Sequence, residues 1–281
     1  MPRVELGLSG YIVNVMIVLI CYMIYFKLKD AEPVKTGFFC DDDDLKHPWR
    51  EETVYWKYLR NVYYVAPLVV ILVTELLMSL GLRSSCFARF GRVIHVYTLY
   101  IFGLIATRML TEFTKRAAGR PRPHFLQVCN PVYEGRCESG TFVSDYVCAG
   151  NRELFATAEE AAEKADYARM SFVSGHASEA GEMAVFLTLY LHMRFGRKIG
   201  GMSFAYFFAL IILWTWAGFV CISRVTDYRH FVGDVVAGFA LGAFIQYVNV
   251  WVVGKDLLED DDEDAEYVKP PGNSDPYQRL V

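Results

Sequence analysis

Residues 203–254 read SFAYFFALIILWTWAGFVCISRVTDYRHFVGDVVAGFALGAFIQYVNVWVVG, two apolar stretches with a short charged segment between them. The stretches 203–222 and 235–254 each have the roughly 20 residues that an α-helix needs to cross a bilayer. The segment 223–234 carries two arginines, one histidine and two aspartates. Because charge beside membrane spans is costly and often functional, this segment is the first candidate for a site.

Four further apolar stretches of similar length occupy 7–26, 61–82, 93–113 and 176–193. Hydrophobic residues make up 54% of the chain and its mean hydropathy is +0.22, values too apolar for an ordinary soluble domain. The first stretch is too long for the core of a signal peptide, and no small-residue cleavage site follows it. We therefore predict an all-α polytopic membrane protein whose domain, residues 1–254, has six transmembrane helices.

The last 27 residues, 255–281, hold nine acidic and three basic side chains, whereas the net charge of the whole chain is −4. Such a composition cannot bury a core, so we expect a solvated, disordered cytoplasmic tail.

Two short loops, 83–92 and 194–198, each carry three basic residues, and loops of this kind tend to stay cytoplasmic. With six spans, both termini are then cytoplasmic. The segments 27–60, 114–175 and 223–234 consequently share the extracellular or lumenal face, where we expect the active site.

Four cysteines, Cys40, Cys129, Cys137 and Cys148, lie in the segments predicted to be outside, where disulfides can form. Four cysteines allow three complete pairings, and the sequence does not choose among them.

The stretch KRAAGRPRPHF, 115–125, follows the third span directly. Lys115 and Arg122 are separated by six residues, and Pro121 and Pro123 hold the chain around Arg122 extended. Taken alone, the stretch is also compatible with cations that snorkel at a membrane edge.

The stretch SFVSGHAS, 171–178, enters the fourth span. Ser174 is a candidate N-cap, and the amides of Gly175 and His176 would point out of a helix N-terminus, where anions bind readily. Most serines in such a position are simply caps.

In the segment 223–234, His230 and Asp234 stand four residues apart and would share one face of a helical turn. The carboxylate could accept a hydrogen bond from one imidazole nitrogen and leave a lone pair on the other. Arg224 adds a permanent positive charge. The alternative is a histidine solvated by lipid headgroups.

Together these segments complement one another. Lys115, Arg122, Arg224 and a helix N-terminus suit a dianion, and two histidines suit an in-line displacement, in which one attacks and the other serves the leaving group. The combination indicates phosphoryl transfer.

The pattern K-x6-RP, SGH, SR-x5-H-x3-D resembles the three signature motifs of the type 2 phosphatidic acid phosphatase and haloperoxidase superfamily. The stretches GFFCDDDDLKHPWREETV (37–54) and RPHFLQVCNP (122–131) are similar to the animal lipid phosphate phosphatases. One position departs from the family, which usually has proline where this chain has Val173. We expect valine to be tolerated, because that proline supplies no polar group.

The resemblance implies a role for each motif residue. His230 would be the nucleophile that forms a phosphohistidine, with Asp234 orienting its ring, and His176 would protonate the leaving alcohol and then activate water. The phosphate would be bound by Lys115, Arg122, Ser174, Gly175 and Arg224.

The resemblance also implies an integral membrane phosphatase that needs no metal or other cofactor. Its substrates would be lipid phosphomonoesters: phosphatidate, lysophosphatidate, sphingosine 1-phosphate or ceramide 1-phosphate. Besides the lipid and the bilayer we expect a homo-oligomeric partner and no nucleic acid. The plasma membrane is the expected location, with the Golgi and endoplasmic reticulum as alternatives.

Charged residues inside the spans are expected to be structural or to line a polar cleft. Arg108 and Glu112 are spaced i, i+4 and are predicted to pair, whereas Glu75 needs a partner from another helix. His95, Glu179 and Glu182 complete this set.

Rival functions stay open at this point. An inactive relative or a lipid transporter or scramblase would bind phospholipid without releasing phosphate. A haloperoxidase shares the anion site but is expected to be soluble. Sugar-phosphate and polyprenyl-diphosphate phosphatases differ in substrate alone.

Overall fold

A computed structural model describes residues 8–79, 86–195 and 203–254, which are mostly helical. The helices are α1 (Leu8–Asp30), α2 (Trp56–Ser79), α3 (Cys86–Ala118), α4 (Phe125–Cys129), α5 (Ala158–Tyr167), α6 (Gly175–Phe195), α7 (Ser203–Thr226) and α8 (Val232–Asn249), which continues into a π-helical turn, Val250–Gly254. Each of the six predicted spans overlaps a long helix. Residues 7 and 80–82 of those spans, and the predicted tail 255–281, lie outside the described residues.

Four of the described helical segments are long and apolar enough to cross a membrane. They are Trp56–Met78, Phe90–Ala118, Phe204–Thr226 and Val232–Gly254. Large apolar side chains on α7, such as Phe204 and Ile212, are exposed, as lipid-facing side chains would be. Spans formed by α1 and α6 stay predictions, and so does the side of the membrane to which each end belongs.

Helix α6 lies at the centre of the bundle. It packs most extensively against α8 and also contacts α2, α3 and α7, while α1 packs on α3. Close packing replaces the hydrophobic effect as the force between helices in lipid, so small residues matter at such contacts. A methyl group at Gly238 of α8 would lie 2.5 Å from the Ser174 carbonyl oxygen, and one at Gly242 would clash with the Ser178 carbonyl. The two backbones therefore touch.

A loop cap, residues 31–55 and 119–174, covers one end of the bundle. It contains two short antiparallel pairs: β1 (Phe38–Phe39) with β3 (Phe142–Val143), and β2 (Pro131–Val132) with β4 (Val147–Cys148). In α5, the Thr157 hydroxyl accepts from the Glu160 amide at 3.1 Å, which caps the helix. The cap has an apolar core of its own, formed by Phe38, Leu45, Phe125, Val128, Cys129, Val143, Tyr146, Phe155, Ala161 and Ala168.

Two disulfides, Cys40–Cys137 and Cys129–Cys148, tie the loop cap together. The structure thus selects one of the three pairings that the sequence left open. The bridges join residues 97 and 19 positions apart, and loops of these lengths correspond to about 3–5 kcal/mol of stabilisation each in chain-entropy terms.

The three segments predicted to share one face do meet. The His47 amide donates to the Pro123 carbonyl at 3.0 Å, and Arg122 Nη1 donates to the Arg229 carbonyl at 3.2 Å. The first loop therefore contacts the second, and the second contacts the third.

The charges inside the helices pair partly as expected. Glu75 accepts from Arg194 of α6 at 2.8 Å, so its partner does come from another helix. The predicted Arg108–Glu112 pair is wrong. Arg108 faces α6 and donates to both carboxylate oxygens of Glu179 at 3.0 and 2.8 Å. This bidentate pair matches the planar guanidinium better than a contact with a neighbour on the same helix would. Glu182 is fully buried in α6.

Candidate active site

Lys115 lies in the last turn of α3 and is almost fully buried. Its Nζ donates to Glu112 Oε1 at 3.2 Å. A Cβ atom at Gly175 would lie only 3.1 Å from this Nζ, so the glycine lets the lysine approach the first turn of α6. The cation and the helix N-terminus therefore face the same small space.

Arg122 is held by three backbone carbonyls. Its Nε donates to Tyr167, Nη1 to Arg229 and Nη2 to Met170, at 3.0–3.2 Å. A guanidinium has five N–H groups, so two remain for a ligand. The Tyr167 ring lies 4.0 Å from Arg122 Cζ and 5.8 Å from Lys115 Nζ. Burial alone would raise the pKa of Tyr167, but these two cations outweigh it and lower that pKa below its usual value.

Ser174 directly precedes α6, and its amide donates to the Asp234 carbonyl at 3.0 Å. Its hydroxyl was expected to cap the helix. Instead, Ser174 Oγ is buried and has no hydrogen-bond partner among the described residues. A buried hydroxyl without a partner is costly, so this atom is available to a bound ligand. The preceding residue, Val173, is buried.

His176 follows in the first turn of α6 and is also buried. Its Nε2 lies 3.3 Å from the Val54 carbonyl oxygen and 3.8 Å from Glu52 Oε2. The Trp56 ring packs against the imidazole, with 5.2 Å between the ring centroids. The surroundings of His176 thus come largely from the first loop and the start of α2.

His230 lies two residues before α8, and its Nδ1 is 2.7 Å from the Ser171 carbonyl oxygen. Asp234 Oδ2 is 3.9 Å from the same nitrogen, so the predicted hydrogen bond from His230 to Asp234 is wrong: the Ser171 carbonyl takes that place. A carbonyl can only accept, so a neutral His230 carries its proton on Nδ1 and a lone pair on Nε2.

The charge state of His230 follows from its neighbours. Burial first, and then the positive charges of Arg122 and Lys115 and the neighbouring His176, hold the pKa of His230 well below its usual value. These groups act on one imidazole because they lie close to it. His230 is therefore neutral at physiological pH.

Asp234 is fully buried in the first turn of α8. It accepts from Arg120 Nη1 at 2.6 Å, Ser171 Oγ at 2.5 Å and the Phe231 amide at 3.1 Å. These donors come from all three motif segments. Asp234 therefore joins the segments to one another and positions the Ser171 carbonyl that holds His230.

Arg224, at the end of α7, has an acceptor at each nitrogen. Nε donates to Ser223 Oγ at 3.1 Å, Nη1 to Glu52 Oε2 at 3.3 Å and Nη2 to Asp227 Oδ2 at 3.1 Å. Its charge is thus shared with two carboxylates, one of which belongs to the first loop.

All eight predicted site residues are buried at the end of the bundle that carries the loop cap: Lys115, Arg122, Ser174, Gly175, His176, Arg224, His230 and Asp234. Sequence reasoning missed the groups that support them: Glu52, Arg120, Tyr167, Ser171 and Asp227. Arg120, Ser171 and Asp227 lie inside the motif segments and could have been considered. Glu52 lies in the first loop, which was expected on the same face as the site, but no feature of the sequence singled out this glutamate.

A third histidine in this region, His124, has a different role. Its Nδ1 donates to the Tyr228 carbonyl at 2.7 Å, and its ring meets Trp49 edge-on. Burial and the charges of Arg122 and Arg229 lower the pKa of His124 to about 3. His124 is therefore a neutral structural histidine of the loop cap.

In the described part of the chain, no three His, Cys, Asp or Glu side chains come together so that they could hold a metal ion. The positive charge of the pocket comes from Lys115, Arg122 and Arg224. The arrangement can bind a tetrahedral dianion, present a nucleophilic nitrogen to it and exchange a proton beside it.

The PAP2 superfamily profile matches residues 96–257, more than half of the chain and all three motifs. The chain belongs to the PAP2 superfamily. Within it, this PAP2 chain is 32% identical to phospholipid phosphatase 1 of Mus musculus over 221 residues, 75% of this chain and 72% of that protein. The predicted resemblance to the animal lipid phosphate phosphatases is confirmed.

Two further relatives are similar. Phospholipid phosphatase 2 of Homo sapiens is 32% identical over 226 residues, 78% of this PAP2 chain and 73% of that protein. A protein of Drosophila melanogaster described as a putative phosphatidate phosphatase is 28% identical over 253 residues, 79% of this chain and 61% of that protein. No solved structure gives a significant match.

Proposed function

We propose that this PAP2 protein is an integral membrane phosphatase that hydrolyses lipid phosphomonoesters: phosphatidate, lysophosphatidate, sphingosine 1-phosphate or ceramide 1-phosphate. One observation carries the proposal. A neutral His230, with its lone pair on Nε2, is buried close to the cations Arg122 and Lys115. The relatives are named as phospholipid and phosphatidate phosphatases, which supports the lipid class.

The first step transfers the phosphoryl group to the protein. His230 Nε2 attacks phosphorus, and the bond from phosphorus to the alcohol oxygen breaks on the opposite side. His176 gives its proton to that oxygen, so the lipid leaves as an alcohol. A phosphohistidine remains on His230.

The second step removes the phosphoryl group. His176, now neutral, takes a proton from water while the water oxygen attacks phosphorus. The bond from His230 Nε2 to phosphorus breaks, the electron pair returns to the nitrogen and inorganic phosphate leaves. His176 is protonated again for the next substrate.

Negative charge on the phosphoryl oxygens must be met by fixed donors in both steps. Several donors are suited to this task. They are the two N–H groups of Arg122 that bind no carbonyl, the Lys115 ammonium, the unpartnered Ser174 hydroxyl and the amides at the start of α6. Arg224 adds a further cation. These groups supply the charge that metal ions supply in other phosphatases, so we expect activity without added metal.

Lipid access and orientation belong to the same proposal. The pocket lies at the ends of α3, α6 and α8, where a headgroup can reach it while its tails stay beside the bundle. The two disulfides of the loop cap are expected on an oxidising side of the membrane, which favours an extracellular or lumenal site with cytoplasmic termini. The plasma membrane remains the expected location.

The test is phosphate release from a panel of lipid phosphomonoesters by the purified full-length protein in detergent, with EDTA present. We expect release by the wild type and none by His230→Ala. An inactive relative or a lipid transporter would release no phosphate from any member of the panel. Release that appears only after Mg²⁺ is added would contradict the metal-independent mechanism.

A further inference from the structure

The two histidines assigned to catalysis have similar surroundings. His230 has a backbone carbonyl at 2.7 Å and a carboxylate, Asp234, at 3.9 Å from Nδ1. His176 has a backbone carbonyl at 3.3 Å and a carboxylate, Glu52, at 3.8 Å from Nε2. Each imidazole thus has one ring nitrogen facing a carbonyl and a carboxylate.

The charge on His176 presents a physical problem that Glu52 can solve. As the general acid, His176 must hold a proton, yet its burial, and after it the nearby cations Arg224, Lys115 and Arg122, all disfavour the charged imidazole. His230 lies in the same pocket. Nearby positive charges disfavour a protonated imidazole, and a carboxylate within about 4–6 Å favours it. The Glu52 carboxylate is at that distance.

Glu52 is held in place by an anchored loop. The Trp49 amide donates to Gln127 Oε1 at 2.6 Å, and the amide and hydroxyl of Thr53 both donate to Asp227 at 2.8 Å. These bonds hold the chain on either side of position 52.

The Glu52 carboxylate is itself surrounded by cations. It lies 3.3 Å from Arg224 Nη1 and 3.7 Å from Arg229 Nη1, and its side chain is 22% exposed. These contacts fix the carboxylate beside His176.

We propose that Glu52 is a positioning residue for the general acid: its carboxylate favours the protonated form of the His176 imidazole and turns Nε2–H toward Val54, which leaves Nδ1 for the leaving-group oxygen. The inference rests on the proposed phosphatase function. Glu52 lies outside residues 96–257, which match the PAP2 superfamily, so the first loop adds a component to the site that this match does not include.

The leaving group offers a specific readout. An alkoxide is a poor leaving group and needs the proton of the general acid, whereas a phenolate leaves with little help. Loss of the acid should therefore slow an alkyl phosphate far more than an aryl phosphate with the same chain. A defect in folding or in phosphate binding would slow both substrates alike.

The experiment compares Glu52→Gln, Glu52→Asp and the matched control Glu51→Gln in the full-length protein. Glu51 is exposed and accepts from the Tyr55 hydroxyl at 3.0 Å, away from the histidines. We measure kcat/KM against pH for an alkyl and an aryl phosphate of equal chain length. Binding of vanadate, a phosphate analogue, reports whether the pocket is assembled.

For Glu52→Gln at pH 8 we expect the alkyl phosphate to lose about tenfold or more of kcat/KM, and the aryl phosphate about threefold or less. The alkaline limb of the profile should move about one pH unit lower, while the acid limb stays. Glu52→Asp should recover part of both effects, and Glu51→Gln should match the wild type. Vanadate should bind Glu52→Gln at least as tightly as the wild type, because a negative charge has been removed.

Equal losses on both substrates with an unmoved alkaline limb would overturn the role of Glu52. If Glu52→Gln fails to bind vanadate, the result for Glu52→Asp is used instead. A fall in its kcat/KM that is confined to the alkyl phosphate supports the inference, and an equal fall for both substrates overturns it. A wild type that releases no phosphate contradicts the proposed function itself. An active wild type with Glu52→Gln indistinguishable from Glu51→Gln contradicts this inference alone.

Discussion

The surroundings of His230 and those of His176 are assembled from different parts of the chain. His230 is held by Ser171, which Asp234 fixes in turn, and both lie inside the motif segments. His176 faces Val54 and Glu52, more than 120 residues earlier in the chain. The short motifs therefore contain most of the groups around His230. The groups around His176 depend instead on how the first loop packs against the start of α6.

The largest expected effects on activity come from replacing the two histidines. His230→Ala should lower kcat by about 10⁴-fold or more, as removal of a covalent nucleophile does in other enzymes, and should form no phosphoenzyme. His176→Ala should lose about 10²–10⁴-fold on an alkyl phosphate. With an aryl phosphate, His176→Ala should form the phosphohistidine and then accumulate it, because water is no longer activated.

Rapid quenching at alkaline pH with ³²P-labelled substrate measures this intermediate. A labelled His230→Ala protein would show that another residue is the nucleophile. If His176→Ala accumulates no label with the aryl substrate, the two roles are not divided as proposed.

A smaller effect on kcat is expected from replacing Asp234, the carboxylate that positions the Ser171 carbonyl beside His230. Asp234→Asn keeps the shape but removes the charge that accepts from Arg120 and Ser171, so we expect kcat to fall about 10²-fold. Arg120→Gln is the matched comparison, and its effect should be about tenfold or less because this arginine is partly exposed. Steady-state kinetics on one lipid substrate compares them. A larger loss in Arg120→Gln than in Asp234→Asn would mean that Arg120 acts on the substrate directly.

The smallest expected effect is a shift in pH dependence. A neutral His230 is required, so activity should be lost as pH falls through its pKa, which burial, Arg122, Lys115 and His176 hold below the usual value of about 6.5. Replacing Lys115 by Gln removes a cation that opposes protonation. The pKa of His230 should rise, and the acid limb should move about one unit to higher pH.

Lys115→Arg keeps the charge and is the control, so its acid limb should stay with that of the wild type. The profile of kcat/KM against pH gives both limbs. An acid limb that moves equally in both variants would show that the shape of the lysine matters and its charge does not.

Much of the fold could be predicted from hydropathy, because each long helix is an apolar run. The helix α6 was found although it carries Glu179 and Glu182, since most of the other residues between 176 and 193 are apolar. The Arg108–Glu112 pair was wrong because spacing along one helix cannot show that Arg108 faces another helix. The pairing of the cysteines also depends on tertiary contacts in the loop cap, about which spacing carries no information.

For the site, residue types at fixed spacing identified the cations and the histidines. The orientation of His230 could not be predicted, because its partner is a backbone carbonyl, which every residue has. Glu52 could not be predicted either, because a single glutamate in a polar loop is indistinguishable from a solvated one.

The direct backbone contact of α6 with α8 at Gly238 and Gly242 has a mechanical consequence. His176 lies in the first turn of one of these helices and His230 lies two residues before the other, so this contact fixes the position of one imidazole relative to the other. Segments of the loop cap other than those that carry Glu52, Arg122 and Ser171 can therefore change in length and composition without altering the separation of the two imidazoles. We expect selectivity for a given lipid to be adjustable in those segments while the reaction chemistry is left alone.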